Sequence, residues 1–349
     1  MRAEDTEKAL KFFKGLASKE GAMQNKLMMA LLGLTLCCGC QTITRFVEKV
    51  SSGEVWGSSH GVLFYTNDVL VYPGQQTKLE AYLRSPRSLS GISGVTITFY
   101  RSDEAIASAV TDDNGLAFIE YTAGKAGFDE LSARPVKLPA DIDEDYQSAL
   151  EVSSRLLVSV QPKDTRFIVV DLDKTIINDS YSNIINKSDW PMMPNSLDVL
   201  RRLSSQYSII YLTQRPTPMT PKSKNWLRSN DFPKGALITS GIRQSMKGAR
   251  QAKSPKLAEL KELYPNIEIG IGEQTGDAFA YIDNGLTAYI IPHLDPDTGK
   301  YSVTAYQLKN FPRPENLQVV SSWLEAEEGI LTNKRFPPAD FVRRLEAKK

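Results

Sequence analysis

Beyond residue 163 the chain switches repeatedly between short apolar runs and amphipathic stretches. RFIVV is followed by SLDVLRRLSSQ, YSIIYL by KSKNWLRSN, ALITS by SPKLAELKELY and IEIGIG by GDAFAYIDNG, and TAYIIP closes the series. Strand-like runs that alternate with helical ones imply a parallel sheet with helices on both faces. Residues 163–349 are therefore predicted to form a doubly wound α/β domain. In such sheets the active site lies beyond the carboxyl ends of the strands.

The preceding stretch, 60–162, has a different rhythm. VLFYTNDVLVYPGQQ, TKLEAYLRS, GVTITFYRS, GLAFIEYTA and RLLVSVQ are short β-branched runs separated by turn residues. TDDNG (111–115) between two of them is a hairpin signal. Strands at this spacing predict an all-β sandwich, with 135–153 as a loop insertion before the last strand. The phrase AVTDDNGLAFIEYTAGKAGFDELSA resembles the bacterial immunoglobulin-like modules of surface proteins. The chain is thus read as multidomain.

The three cysteines, Cys37, Cys38 and Cys40, fall within four residues of one another, so no disulfide framework stabilises the body of the protein. They follow an uncharged run, 27–36, of signal-peptide length and too short to span a bilayer. Gly39-Cys40-Gln41 resembles a bacterial lipobox, which implies cleavage before Cys40 and its lipidation. Residues 1–40 are read as a signal and lipoprotein segment whose translation start is expected at Met23, and 41–59 as a tether. The implied location is the bacterial cell envelope, lipid-anchored, facing the periplasm or the exterior. The alternative is a short buried helix with incidental cysteines.

With 42 basic and 41 acidic residues the chain has a net charge of +1, which gives no electrostatic case for nucleic acid. Only two histidines, His60 and His293, are present, so a Ser-His-Asp triad or a His-rich metal centre is hard to build.

The first α/β strand runs directly into Asp171 and Asp173, in VDLDKTI. Residues two apart on a strand point to one side, and two close carboxylates repel until a proton or a metal relieves them. A solvated capping turn is the plain alternative. A calcium loop fails because Ile176 stands where glycine is required. A glycosyltransferase-type D-x-D needs no Thr175. The order D-x-D-x-T after an apolar strand resembles the first motif of haloacid dehalogenase-type phosphatases. That family places a Ser or Thr at the tip of its second strand, a lysine near the start of a later helix, and an acid after its fourth strand. Thr213, Lys256 (with Lys253 as its rival) and Asp277 fill these places. Simpler readings are a helix cap for Thr213, solvated helix lysines, and a helix N-terminal acid for Asp277.

Y-L-T-x-R (211–215), DFPKGALITS, P-K-L-x-x-L around Lys256 and G-I-G-x-x-x-x-D-x-x-x-Y (270–281) resemble the lipin-type phosphatidate phosphatase domain over roughly 163–295. Lys174 departs from it, standing where glycine is common. The resemblance implies a magnesium-dependent phosphomonoester hydrolase working through an aspartyl-phosphate. Asp171 would be the nucleophile and Asp173 the general acid and base. Thr213 and Lys256 would bind the phosphoryl oxygens. Mg²⁺ would be held by Asp171, Asp277 and the backbone carbonyl of Asp173. The segment between the first motif and the first helix is short for a large cap, which would admit a membrane-borne substrate such as phosphatidate. Trp190, Met192 and Met193 in DWPMMP would either dip into a membrane interface or pack on the adjacent helix. The competing reading is a catalytically silent, surface-tethered module that binds a phospholipid head group or a protein through its sandwich.

Overall fold

The computed structural model describes residues 54–179, 181–295 and 298–347. Cys40, the whole of the expected signal segment and residues 41–53 of the expected tether lie outside them.

Two β-sheets share one core in the first region. Strands β1 (Leu63–Thr66), β3 (Gln76–Arg84) and β6 (Leu116–Thr122) form an antiparallel sheet in the order β1-β3-β6. Strands β2 (Val69–Val71), β4 (Thr96–Arg101), β5 (Glu104–Val110), β7 (Gly127–Lys137) and β8 (Ser154–Val160) form the other, in the order β2-β8-β7-β4-β5. Alternation decides which side chains turn inward. Leu79, Ala81 and Leu83 of β3 meet Ile97 and Phe99 of β4, Leu131 and Ala133 of β7, and Val158 and Val160 of β8. The TDDNG turn forms, with Asp112 Oδ1 accepting from the Asn114 and Leu116 amides. It does not join a hairpin, however, because β5 pairs with β4 whereas β6 pairs with β3. Gly115 lies against the Leu83 carbonyl, where a Cβ would come within 2.0 Å, and this close approach turns the chain from one sheet to the other. The expected insertion carries a 3₁₀ helix, Glu144–Glu151, whose Ala149 plugs the same core.

The second region is a six-stranded parallel sheet, β11-β10-β9-β12-β13-β14. Its strands are β9 (Phe167–Val170), β10 (Ser208–Pro216), β11 (Gly235–Ser240), β12 (Ile267–Gly272), β13 (Thr287–Ile290) and β14 (Leu317–Val319). The strand β14 lies beyond the series read from sequence, because its three residues give no periodic signal. The helices are α1 (Tyr181–Asn186), α2 (Ser196–Leu203), α3 (Thr220–Ser229), α4 (Ile242–Ser245), α5 (Ala249–Leu263), α6 (Thr275–Asp283), α7 (Ala305–Lys309), α8 (Trp323–Thr332) and α9 (Pro338–Glu346). Each central strand is buried on both faces and splits its side chains between two cores. Ile168 and Val170 go to one, Phe167 and Val169 to the other. Among the described residues no helix is long and apolar enough to cross a membrane.

The two regions are joined by a polar clamp over an apolar contact. Asp68, after β1, accepts from the Leu157 amide at 2.8 Å and from the Leu237 amide of β11 at 3.0 Å, and pairs with Lys224 at 2.6 Å. The edge strand β11 thus has one of its amides taken up by the β-region. Leu63, Tyr65 and Leu70 of the β-region pack into the α/β cores around it. The described part of the expected tether is packed as well. Val55 and Trp56 sit in a 3₁₀ turn, buried in the α/β core beside Ile185 and Trp226. Two adjacent large apolar residues are better buried than left in a solvated linker.

Candidate active site

Parallel strands bring their carboxyl ends to one edge, and Asp171 follows β9 there. Its amide donates to the Ile271 carbonyl of β12, which continues the sheet by one residue and fixes the direction of the side chain. Lys174 adopts φ 58°, a left-handed conformation that glycine adopts freely and a side chain adopts at a cost. Behind this turn the Trp323 indole of α8 donates to the Thr175 carbonyl at 2.8 Å, so a helix near the end of the chain braces the Asp171 loop.

Lys253 is the centre of the site. Its ammonium is buried and lies 2.6 Å from Asp171 Oδ1 and 2.6 Å from Asp277 Oδ1. Burial alone would lower its pKa, but the two carboxylates outweigh that and hold it well above its ordinary value. Asp171 is pushed up by burial; Lys253 pulls it back, and Asp277 and Asp173 add to the rise. Asp277 is the third residue of α6 and accepts with Oδ2 from the Glu273 and Gln274 amides, so the helix end itself steadies the carboxylate. Close approach needs the two glycines of β12. A Cβ on Gly272 would meet the Asp277 side chain at 2.6 Å, and one on Gly270 would meet the Tyr281 ring at 2.2 Å. These contacts give the G-I-G-x-x-x-x-D-x-x-x-Y spacing its physical meaning.

Lys256 does not reach this centre. It is about half exposed, pairs with Glu259 at 2.6 Å, and lines the cleft between the two regions. The sequence choice of Lys256 over Lys253 is therefore corrected. Ser254-Pro255 mimics a helix cap followed by proline in the first turn, but α5 begins at Ala249 and runs through Pro255. Thr213 is fully buried in β10, with Oγ1 accepting from the Arg215 amide at 3.2 Å.

Asp173 points to another cation. Arg215, fully buried, grips it with Nε at 3.0 and 3.1 Å from its two oxygens and with a terminal nitrogen at 2.5 Å. The guanidinium also donates to Ser223 Oγ and stacks 4.4 Å from the Trp190 ring. Trp190 is itself buried and donates to the Asn183 carbonyl, and Met193 packs on the same core, while Met192 is exposed. Of the two uses for DWPMMP, packing thus takes Trp190 and Met193. No role was assigned to Arg215 from sequence, since an arginine just past a strand reads as a solvated charge.

These groups surround a cavity of about 260 Å³, lined by Asp171, Asp173, Lys174, Arg215, Lys253 and Glu273 among others. Glu273 is the second residue that sequence reasoning missed; the acid directly after G-I-G at a strand end was its signal. Its Oε2 is buried with no hydrogen-bond partner, and burial together with Asp277 raises its pKa to about 7. Among the described residues no three His, Cys, Asp or Glu side chains form a ready metal cage. The donor chemistry nevertheless fits a hard divalent cation. Asp171, Asp277 and the orphaned Glu273 would offer carboxyl oxygens, with the Asp173 carbonyl as the backbone ligand that the family resemblance implies.

Residues 168–291, from β9 through β13, match the family model described as "PITM 1-3, LNS2 domain". No curated protein matches the chain. Three of the similar solved structures indicate how low the likeness is. D,D-heptose 1,7-bisphosphate phosphatase from B. bronchiseptica, complexed with magnesium and phosphate, is 15% identical with a TM-score of 0.38, over 49% of this chain and 100% of that one. The CARDB domain of a Pyrococcus furiosus protein, in complex with di-metal ions, is 11% identical with a TM-score of 0.20, over 29% and 92%. Titin M4 is 11% identical with a TM-score of 0.19, over 29% and 93%. None of these scores carries weight for function. The LNS2 match spans the stretch that holds Asp171, Lys253 and Asp277.

Proposed function

We propose that this protein hydrolyses phosphomonoesters through an aspartyl-phosphate on Asp171, with phosphatidate or another membrane-borne phosphomonoester as substrate. The observation that carries the reading is the buried Lys253 ammonium shared by Asp171 and Asp277 at the carboxyl edge of the sheet.

Asp171 Oδ attacks phosphorus, and the bond from phosphorus to the ester oxygen breaks. Asp173 gives its proton to the leaving alcohol, then takes one from the water that cleaves the acyl-phosphate, regenerating Asp171 and releasing phosphate. Arg215 grips both oxygens of Asp173, so the carboxyl must leave the guanidinium to reach the leaving alcohol. Lys253 neutralises charge on the nucleophile and on the incoming phosphoryl oxygens. Thr213, buried within β10 three residues before its end, would serve them through its hydroxyl. Mg²⁺, held by Asp171, Asp277, the Asp173 carbonyl and Glu273, would supply the charge neutralisation that attack by one anion on another requires.

The cavity is smaller than the roughly 300–1,000 Å³ of pockets that enclose a drug-sized ligand. It suits a phosphate and its first ester atoms, with the rest of the substrate outside. In this reading the β-region is an immunoglobulin-like module, Cys40 carries the lipid anchor, and the protein faces the periplasm or the exterior of a bacterial envelope.

The test is phosphate release from short-chain phosphatidate and from an aryl phosphate, in Mg²⁺ or EDTA, beside Asp171→Asn. Turnover that needs Mg²⁺ and vanishes in the variant supports the reading. No release from either substrate, with phosphatidate still bound, establishes the silent binding module instead.

A further inference from the structure

We propose that the mouth of the cavity is a bilayer-docking face for anionic phospholipid, formed by Met192, Met246 and Leu294. These three large apolar side chains are 40%, 42% and 45% exposed, on three separate segments that follow β9, β11 and β13. Because the strands are parallel, all three segments emerge at the edge that holds the site. Each is tied to the cavity wall. Met192 bridges to Ile177, which bridges to Asp173. Met246 follows Ser245, a residue of the cavity wall. Leu294 follows His293, whose amide donates to Ser302 Oγ, and that hydroxyl donates to the Glu273 carbonyl.

Charge and chain path favour a lipid surface as the occupant. The segment 241–248, G-I-R-Q-S-M-K-G, sets Arg243 and Lys247 around Met246 with no acid, and basic residues beside an apolar tip favour an anionic leaflet. Acidic residues are present on the other two segments, so the 241–248 segment is the electrostatic contact. The chain also enters the fold beside the mouth. Val55 and Trp56 pack in the core with Ile184 and Ile185 of α1, and Ile184 lines the cavity. The proposal rests on the phosphatase reading only in placing that substrate in a bilayer.

Docking is read without turnover. In a full-length chain carrying Cys37→Ser, Cys38→Ser and Cys40→Ser, an environment-sensitive fluorophore is attached at Met246→Cys or, as reference, at Ser205→Cys on the opposite edge of the sheet. Vesicles are phosphatidylcholine alone or with phosphatidylglycerol. A blue shift and several-fold rise in emission at position 246 on the anionic vesicles, absent at position 205, is the expected result. No change at 246, an equal change at both positions, or an equal change on phosphatidylcholine alone overturns the proposal. In a second arm, Met246→Ser with Leu294→Ser lowers the rate on vesicle-embedded phosphatidate about tenfold and leaves the rate on soluble aryl phosphate unchanged. Equal loss on both substrates counts against docking. A wild-type chain inactive on both, yet shifted at 246, refutes the phosphatase and leaves the docking face standing.

Discussion

Lys253 Nζ donates to Asp171 Oδ1 across 2.6 Å, with both groups almost wholly removed from water. Lys253→Ala leaves two buried carboxylates without a cation, which costs about 3–5 kcal/mol. It is expected to lower the unfolding midpoint and to abolish phosphate release. Lys256→Ala removes only an exposed pair worth about 0.2–0.5 kcal/mol and is expected to match wild type in both. Thermal denaturation and phosphate release on the two variants check this, and the opposite pattern would restore Lys256.

Arg215→Lys keeps the charge but loses the fork that grips Asp173 and the flat face that lies on Trp190. The expected result is a drop in kcat of about tenfold or more, ~1.4 kcal/mol, with the fold intact by circular dichroism. Wild-type kcat in this variant would show that Asp173 needs no such partner.

Gly270→Ala forces a methyl group into the Tyr281 ring. Overpacking of this kind costs about 1–3 kcal/mol. A second change, Tyr281→Ala, vacates the space, so the double variant is expected to be less destabilised than the sum of the singles. Additive losses in a denaturant titration would place the fault elsewhere than at this contact.

Asp129 is held below the usual carboxylate range first by the hydrogen-bonded Arg101 guanidinium, against the opposing effect of burial, with Tyr121 assisting. Its folded pKa lies below its unfolded one. The contribution is therefore present above the unfolded value of about 3.9 and is lost as pH falls through the folded value. The pair is partly exposed, so the effect is small, about 1 kcal/mol or less. Asp129→Asn is expected to lower stability at pH 7 and to lower it less at pH 3, below the unfolded value. Equal loss at both pH values would mean that the carboxylate charge plays no part.

What could be read in advance follows the range over which each signal acts. The strands β9 to β13 announce themselves because a strand buried on both faces has to be apolar along its length, and Asp171 and Asp277 stand out as charges at the ends of such runs. The choice between Lys253 and Lys256 depends on where α5 starts, and Ser254-Pro255 gives a false start. Arg215 and Glu273 gain meaning only from what surrounds them in space: an indole face and Asp173 for one, an unpartnered oxygen for the other. TDDNG fixes a local bend, yet local chemistry does not say which sheet the next strand joins.

The Asp68 clamp bears on how portable the catalytic unit is. It spends a buried carboxylate on an amide of β11, the outermost strand of the parallel sheet, while apolar residues of β1 and β2 complete the α/β cores. A gene fragment beginning at residue 163 would encode every side chain of the site and still bare that strand and its apolar flank. Open strand edges recruit other chains. The β-region thus acts as a covalently attached chaperone for its neighbour, and the two are expected to be inherited, expressed and purified as one piece.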